Sequence, residues 1–440
     1  MVNTGPRNAA SERLRKVFGS VLDATPLPPL YRVRQRWEPS PPLDIPALVD
    51  AQFDAVGLSR GLVPGMRVAL TAGSRGIRDI VPILQASAAY LRRAGAVPFI
   101  VPAMGSHGGA TAAGQVQLLR SLGITEAGVG CSIHATMEVV EVGRLADGLP
   151  VYVDRHAAEA DGILVINRIK PHTSFHADIE SGLAKMCAVG LGNREGAETV
   201  HGRGVAGLRS QLAPMARVVV ERCKVLAGLA ILEDAREATA DLVALPPAEI
   251  GAAGEAALLA RSRTMMARLP FDQLDVLVVD EMGKNISGTG MDTNVIGRLR
   301  IPGQAEPATP SISIVVVLDL SDASHGNGAG VGLADLIPAR LARKIDFATT
   351  YISHLTAGII GVQRGALPIT LPTPRDTVAM ALRVCGQPDL SAVRLSRIRN
   401  TLLLDEILVS PPLLPEVVAN PRLEVAGTEV EGWELEMGAG

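Results

Sequence analysis

Two imidazoles and two amines crowd into Lys170–Lys185, a stretch reading KPHTSFHADIESGLAK, and a further imidazole, His201, follows sixteen residues later. The chain has only eight histidines in 440 residues, so three within thirty positions is a strong local enrichment. Imidazole exchanges protons near neutral pH and binds metals. Lysine becomes a nucleophile or base when burial lowers its pKa. Together these residue types suit proton transfer, covalent attachment or metal ligation.

Other reactive groups sit in short glycine-bearing loops. His107 lies in Met104-Gly-Ser-His-Gly-Gly109, where the glycines would let a ligand approach the backbone closely. Arg75 and Arg78 lie in Ser74-Arg-Gly-Ile-Arg-Asp79 and could hold a carboxylate or phosphate by bidentate hydrogen bonds; a solvated loop is the plainer reading for either one. His172 and His176 are four apart, a metal-ligand spacing on a helix. Pro171 and Thr173-Ser174 argue for a turn instead. Lys185 falls among Leu183, Met186 and Val189, so its amine either snorkels outward or is buried for a chemical purpose. Lys284 and Asp292 close the set in a later loop. His134, His156 and His354 have no comparable setting and read as structural, with His325 intermediate.

The elements that must position these loops alternate in type. Met66–Leu70, Val97–Val101, Val151–Val153, Ile163–Ile166 and Val225–Leu232 read as strands. Between the first two, Ile80, Leu84, Ala88 and Leu91 mark one face of a helix, and another helix is expected around Gln115–Leu122. A break near Ala235–Pro270 contains Pro246-Pro247 and an Ala-rich helix. Alternation then restarts with Leu274–Val279 and Ile312–Leu318, the second ending in the loop Ser321–Gly330 that is expected to open a helix toward Leu341. Strand–loop–helix alternation predicts parallel sheets with helices on both faces. The expectation is therefore α/β: an N-terminal domain over 1–270 and a C-terminal domain over 271–440, the latter with a Pro-rich tail (Pro411, Pro412, Pro415). Ligands of such sheets bind beyond the strand carboxyl ends, and a cleft between the domains is the expected active site.

Bulk properties exclude several classes. Net charge is −3 and aromatics are 3%, so neither an electrostatic footprint nor stacking platforms for nucleic acid exist. Apolar runs are strand-length, far short of a membrane span. The four cysteines form no C-x-x-C pair, and the N-terminus does not read as a signal peptide, so a cytoplasmic protein with reduced thiols is expected. The glycines around Gly326–Gly332 lack the G-x-G-x-x-G spacing of a dinucleotide site, and no P-loop is present.

The ordered set Ser74-Arg75-Gly-Ile-Arg78-Asp79, Met104-Gly-Ser-His107, Ile169-Lys-Pro-His172 and Lys185 followed by His201 resembles the lactate racemase family, whose members use a nickel-pincer nucleotide cofactor. The resemblance runs from about Val68 to Ser410 and is densest over Thr71–Gly204. It implies that Lys185 holds the cofactor, with Ser74 and Arg75 beside it, and that His201 is the protein ligand of a square-planar nickel. It implies that His107 and His172 are acid/base residues flanking the substrate, and that Arg78 (or Arg75) and Lys284 orient its carboxylate. His176 stays open as an alternative to His172. The expected activity is racemisation or epimerisation of a 2-hydroxy acid: the hydroxyl proton leaves to a histidine while hydride passes to the cofactor, and hydride returns to either face of the flat keto acid. The expected partners are the small-molecule substrate and the proteins that make the cofactor, with homo-oligomerisation left open. Two other readings compete: a Zn²⁺- or Mn²⁺-dependent hydrolase or lyase using His172, His176 and His201, and a non-catalytic protein binding a carboxylate metabolite through Arg75, Arg78 and Lys284.

Overall fold

The computed structural model describes residues 5–38, 40–427 and 433. The chain forms two compact units, Pro39–Met266 and a second made of Met1–Glu38 with Ala267–Gly440.

The first unit is built on a five-stranded sheet in the order Val97–Pro102, Arg67–Ala72, Gly162–Arg168, Val225–Glu233, Thr239–Leu245. The first four run parallel, and Thr239–Leu245 returns antiparallel as an edge strand that the sequence reading missed. Alternate residues point to opposite faces of a strand. Val68, Leu70, Ile100, Leu164, Ile166, Leu229 and Ile231 accordingly join one core with Ile80, Leu84, Ala88 and Leu91 of the helix Ile80–Arg93. The four predicted helix-face residues are all buried. At 25 cal/mol per Å², burying each leucine or isoleucine contributes about 2 kcal/mol, so this face fixes the helix against the sheet. The Thr71 hydroxyl locks two central strands together: it accepts from the Ile166 N–H at 2.8 Å and donates to the Ile166 carbonyl at 3.1 Å. A small antiparallel pair, Val139–Arg144 with Pro150–Asp154, completes the unit's strands.

The second unit carries an eight-stranded sheet. Ile369–Leu371, Leu336–Pro338, Ser311–Val317, Gln273–Val279 and Leu395–Ile398 are parallel neighbours. Glu406–Val409, Tyr31–Gln35 and Leu423–Val425 extend the sheet antiparallel. Two cores cover its two faces, Leu277, Val279, Val315 and Val317 on one side and Val276, Val278, Val316 and Leu318 on the other.

Two expectations need correcting. The N-terminal 38 residues group with the C-terminal unit rather than with residues 39–266, because Tyr31–Gln35 is inserted between Glu406–Val409 and Leu423–Val425. That partnership is settled by sheet hydrogen bonds between segments nearly four hundred residues apart, which no local pattern encodes. The loop Ser321–Gly330 does not open a helix: it leads through the turn Val331–Leu333 into the strand Leu336–Pro338, and only then into the helix Ala339–Lys344. Pro338, which lacks an N–H and clashes within a helix interior, marks that helix's start. The proline-rich segment is ordered, with Pro411–Leu413 as a turn and Pro415 in the first turn of the helix Leu414–Ala419, where a missing N–H costs nothing.

Candidate functional site

Three adjacent parallel strands of the first unit end in the loops that carry the expected site residues. Arg67–Ala72 leads to Ser74, Arg75 and Arg78; Val97–Pro102 leads to His107; Gly162–Arg168 leads to His172 and on to Lys185. Chain reversal at the carboxyl edge of a parallel sheet brings such loops together. Close backbone contacts confirm the convergence. The Gly105 N–H donates to the Gly190 carbonyl at 3.1 Å, and the Gln115 side chain donates to the Gly105 carbonyl at 3.0 Å. A Cβ on Gly190 would lie 2.7 Å from the Ala103 carbonyl oxygen, so only glycine fits between these segments.

Lys185 ends a single helical turn, Leu183–Lys185, that continues as a π-turn, Met186–Gly190, and not as the uniform helix its composition suggests. Such widened turns are rare and concentrate at functional sites. The turn is seated from below. The buried Glu255 carboxylate accepts the Ala184 N–H at 3.1 Å and the Gly251 N–H at 2.8 Å, and Gly228 leaves the space that Leu183 fills. Although part of the Lys185 side chain stays accessible, protein surrounds its amine. Burial first, then the Arg75 charge, lowers its pKa to about 8, with Glu180 opposing. A substantial free-amine fraction therefore exists near neutral pH.

His201 closes the helix Asn193–His201. Burial, reinforced by the Lys185 charge, lowers its pKa to about 4, so the ring is neutral at pH 7. Its Nδ1 is buried and has no hydrogen-bond partner among the described residues. Buried polar atoms are nearly always satisfied, so an orphaned one marks the place of a missing partner. The turn before this helix is held by Asn193, in the left-handed region at φ 50°, whose amide donates to Asp154 Oδ2 and to the Thr136 carbonyl, both at 3.1 Å. Burial raises the Asp154 pKa to about 6.

His107 is exposed, and its Nδ1 hydrogen-bonds the Ser74 hydroxyl. His172 is half-buried, its ring 4.5 Å from that of Phe175, and the Ser174 N–H donates to its Nδ1 at 3.0 Å. His176 is exposed and lies 3.4 Å from Glu180 Oε1. Glu180 itself is buried. Burial alone would raise its pKa, but hydrogen bonds from His176, the His172 and Ala177 N–H groups and Arg263 outweigh that, and the pKa falls below the ordinary carboxylate value.

Arg75 presents a large surface to solvent yet is crowded by protein; burial and the Arg168 charge lower its pKa, and at that exposure the guanidinium remains charged. Arg78 is exposed with no ion pair among the described residues. Lys284 belongs to the second unit, where its Nζ donates to the Gly288 carbonyl at 2.7 Å. The structure thus links Ser74 with His107, and groups Arg75, Lys185, His201 and Glu180 electrostatically. Among the described residues no three His, Cys, Asp or Glu side chains are arranged to hold a metal ion, so His172, His176 and His201 do not form the plain metal site considered from sequence. His134 stacks on Phe99, and His354 accepts the Gly330 N–H, both structural arrangements.

Sequence reasoning missed Glu180, Glu255, Asp154 and Asn193. Glu180 lies in a loop, Asp154 at a strand end and Glu255 in the first turn of a helix, positions where no periodicity exposes a buried carboxylate. Only the glycine-flanked Asn193 carried a signal, since asparagine tolerates the left-handed region.

A mainly parallel α/β sheet with reactive groups on its carboxyl-edge loops defines the broad class. Residues 76–211, which hold Arg78, His107, His172, Lys185 and His201, match the lactate racemase N-terminal domain. No curated protein matches the chain. Among solved structures, one from Thermotoga maritima determined by structural genomics is similar at 15% identity and a TM-score of 0.43, covering 64% of this chain and 72% of that one. Among the described residues no helix is long and apolar enough to cross a membrane.

Proposed function

We propose that this protein is a racemase or epimerase of a 2-hydroxy acid that works with a nickel-pincer nucleotide. The observation that carries this reading is the pairing of a low-pKa amine, Lys185, with the neutral, orphaned Nδ1 edge of His201 in a domain of the lactate racemase family. The donor set fits the group. Lys185 would hold it covalently, since a lysine with a free-amine fraction at neutral pH is a competent nucleophile, and His201 would give nickel its imidazole ligand. When bound, the group supplies reversible hydride acceptance at the substrate's Cα.

The remaining steps belong to the chain. Ser74 engages His107 Nδ1, which directs Nε2 of that ring to take the substrate's hydroxyl proton. His172 serves from the other loop, presenting its Nε2–H to the substrate oxygen, and the proton taken by His107 returns when the alcohol re-forms. Arg75 and Arg78 supply fixed positive charge for the carboxylate; the part proposed for Lys284 rests on the family resemblance. The proposal carries dependence on cofactor-making proteins and a cytoplasmic setting, in which the four free cysteines stay reduced.

The test is intact-mass and metal analysis of the full chain produced with and without the cofactor pathway. A mass increment mapped to Lys185, about one nickel per chain and turnover of a 2-hydroxy acid are expected only with the pathway. Lys185→Ala should lose all three and His201→Ala should lose nickel. Full turnover by protein made without the cofactor would refute the proposal.

A further inference from the structure

The segment between Pro171 and Ser181 offers two imidazoles, and one buried carboxylate treats them differently. The segment is closed at its base by the Lys170 N–H, which donates to the Ser181 carbonyl at 3.0 Å. Inside the closure Glu180 is 1% exposed. Its Oε2 accepts the His172 N–H at 2.5 Å, and its Oε1 accepts the Ala177 N–H at 3.0 Å and Arg263 Nη2 at 2.5 Å. Arg263 also donates to the Ala177 carbonyl at 2.7 Å, tying the loop to the helix Ala253–Met265. These charge-assisted bonds to a buried anion are the strong kind, and removing the anion would leave several buried donors unsatisfied.

The two histidines stand in opposite relations to that anchor. Glu180 grips His172 by its backbone, and the ring is packed on Phe175 with the Ser174 N–H aimed at Nδ1. A backbone N–H can only donate, so the neutral His172 ring carries its proton on Nε2. Glu180 faces His176 through the ring instead, at 3.4 Å from Nδ1. We propose that Glu180 is a positioning residue that selects His172 over His176 as the second imidazole of the site, fixing the orientation and tautomer of the first while committing the ring of the second. This rests on the racemase reading only for its activity arm.

The test uses the full chain and the variants Glu180→Gln, Glu180→Asp, His176→Gln and His172→Gln. Without cofactor, ¹⁵N signals of the histidine rings should show His172 in one tautomer, protonated at Nε2, and mixed tautomers in Glu180→Gln. In cofactor-loaded enzyme, Glu180→Gln should lower kcat about 100-fold, the size expected when a reacting group is misplaced by about 1 Å, with little change in KM. Glu180→Asp should recover part of that loss. His176→Gln should keep wild-type kcat, whereas His172→Gln should not. A single unaltered His172 tautomer together with wild-type kcat in Glu180→Gln would overturn the proposal, as would a loss in His176→Gln equal to that in His172→Gln. If Glu180→Gln fails to fold, the His176→Gln comparison and the wild-type ring signals decide. Should no 2-hydroxy acid turn over at all, the racemase reading fails while the ring signals still judge Glu180.

Discussion

Lys185 should label as an amine about 2.5 pH units below an ordinary lysine, its pKa having moved from 10.5 to about 8. At pH 7 that leaves about one amine in ten unprotonated, against about one in 3,000 for the unperturbed group, each unit being a factor of ten in the equilibrium. The assay is competitive acetylation of the cofactor-free full chain across pH 6–11, with peptide mapping by mass spectrometry and the urea-unfolded chain as reference. The Lys185 midpoint should fall near 8 in the folded chain. Arg75→Gln removes a neighbouring positive charge and should move the midpoint upward, by less than the whole shift because burial is the larger cause. The same shift has a stability consequence. The folded-state value lies below the unfolded one, so the folded chain binds fewer protons between pH 8 and 10.5 and gains stability as pH rises through that window. The gain is about 3 kcal/mol at most. Lys185→Met should abolish it and be more stable than wild type at pH 7. A folded-state midpoint above 10 would refute the assignment of Lys185 to a desolvated site and with it the route to covalent attachment.

Two further perturbations probe the framework. Asp154 has its pKa raised from 3.8 to about 6 by burial, so the folded chain binds its proton more tightly than the unfolded chain. Its contribution is fully present below about pH 4 and is lost as pH rises through about 6, amounting to about 3 kcal/mol at most; urea midpoints should show Asp154→Asn flattening the pH dependence of stability between 4 and 6, and an unchanged slope would contradict the burial argument. Gly190→Ala would set a methyl 2.7 Å from the Ala103 carbonyl oxygen, and the resulting separation of the His107 and Lys185 loops should cost about 1–3 kcal/mol. Thermal unfolding checks it, and a wild-type Tm would show that the loops are not packed as described.

The local grammar of this chain was legible without coordinates. Apolar runs marked the strands Arg67–Ala72, Val97–Pro102 and Gly162–Arg168 within a residue or two, and the four-residue spacing of Ile80, Leu84 and Ala88 marked a helix face. Periodicity reports which face of an element is buried, and alternation of strand and helix reports a parallel sheet. The likeness to the lactate racemase N-terminal domain over residues 76–211 was legible too, because it rests on residue types at fixed spacing. Tertiary structure decided everything that depends on who meets whom. It placed Tyr31–Gln35 in the distant sheet, widened the helix after Lys185 into a π-turn, and surrounded the loop of His172 and His176 with Glu180 and Arg263. Desolvation is a property of neighbours and not of spacing, which is why the sequence could name Lys185 and His201 but only the fold could supply a low-pKa amine beside a neutral imidazole.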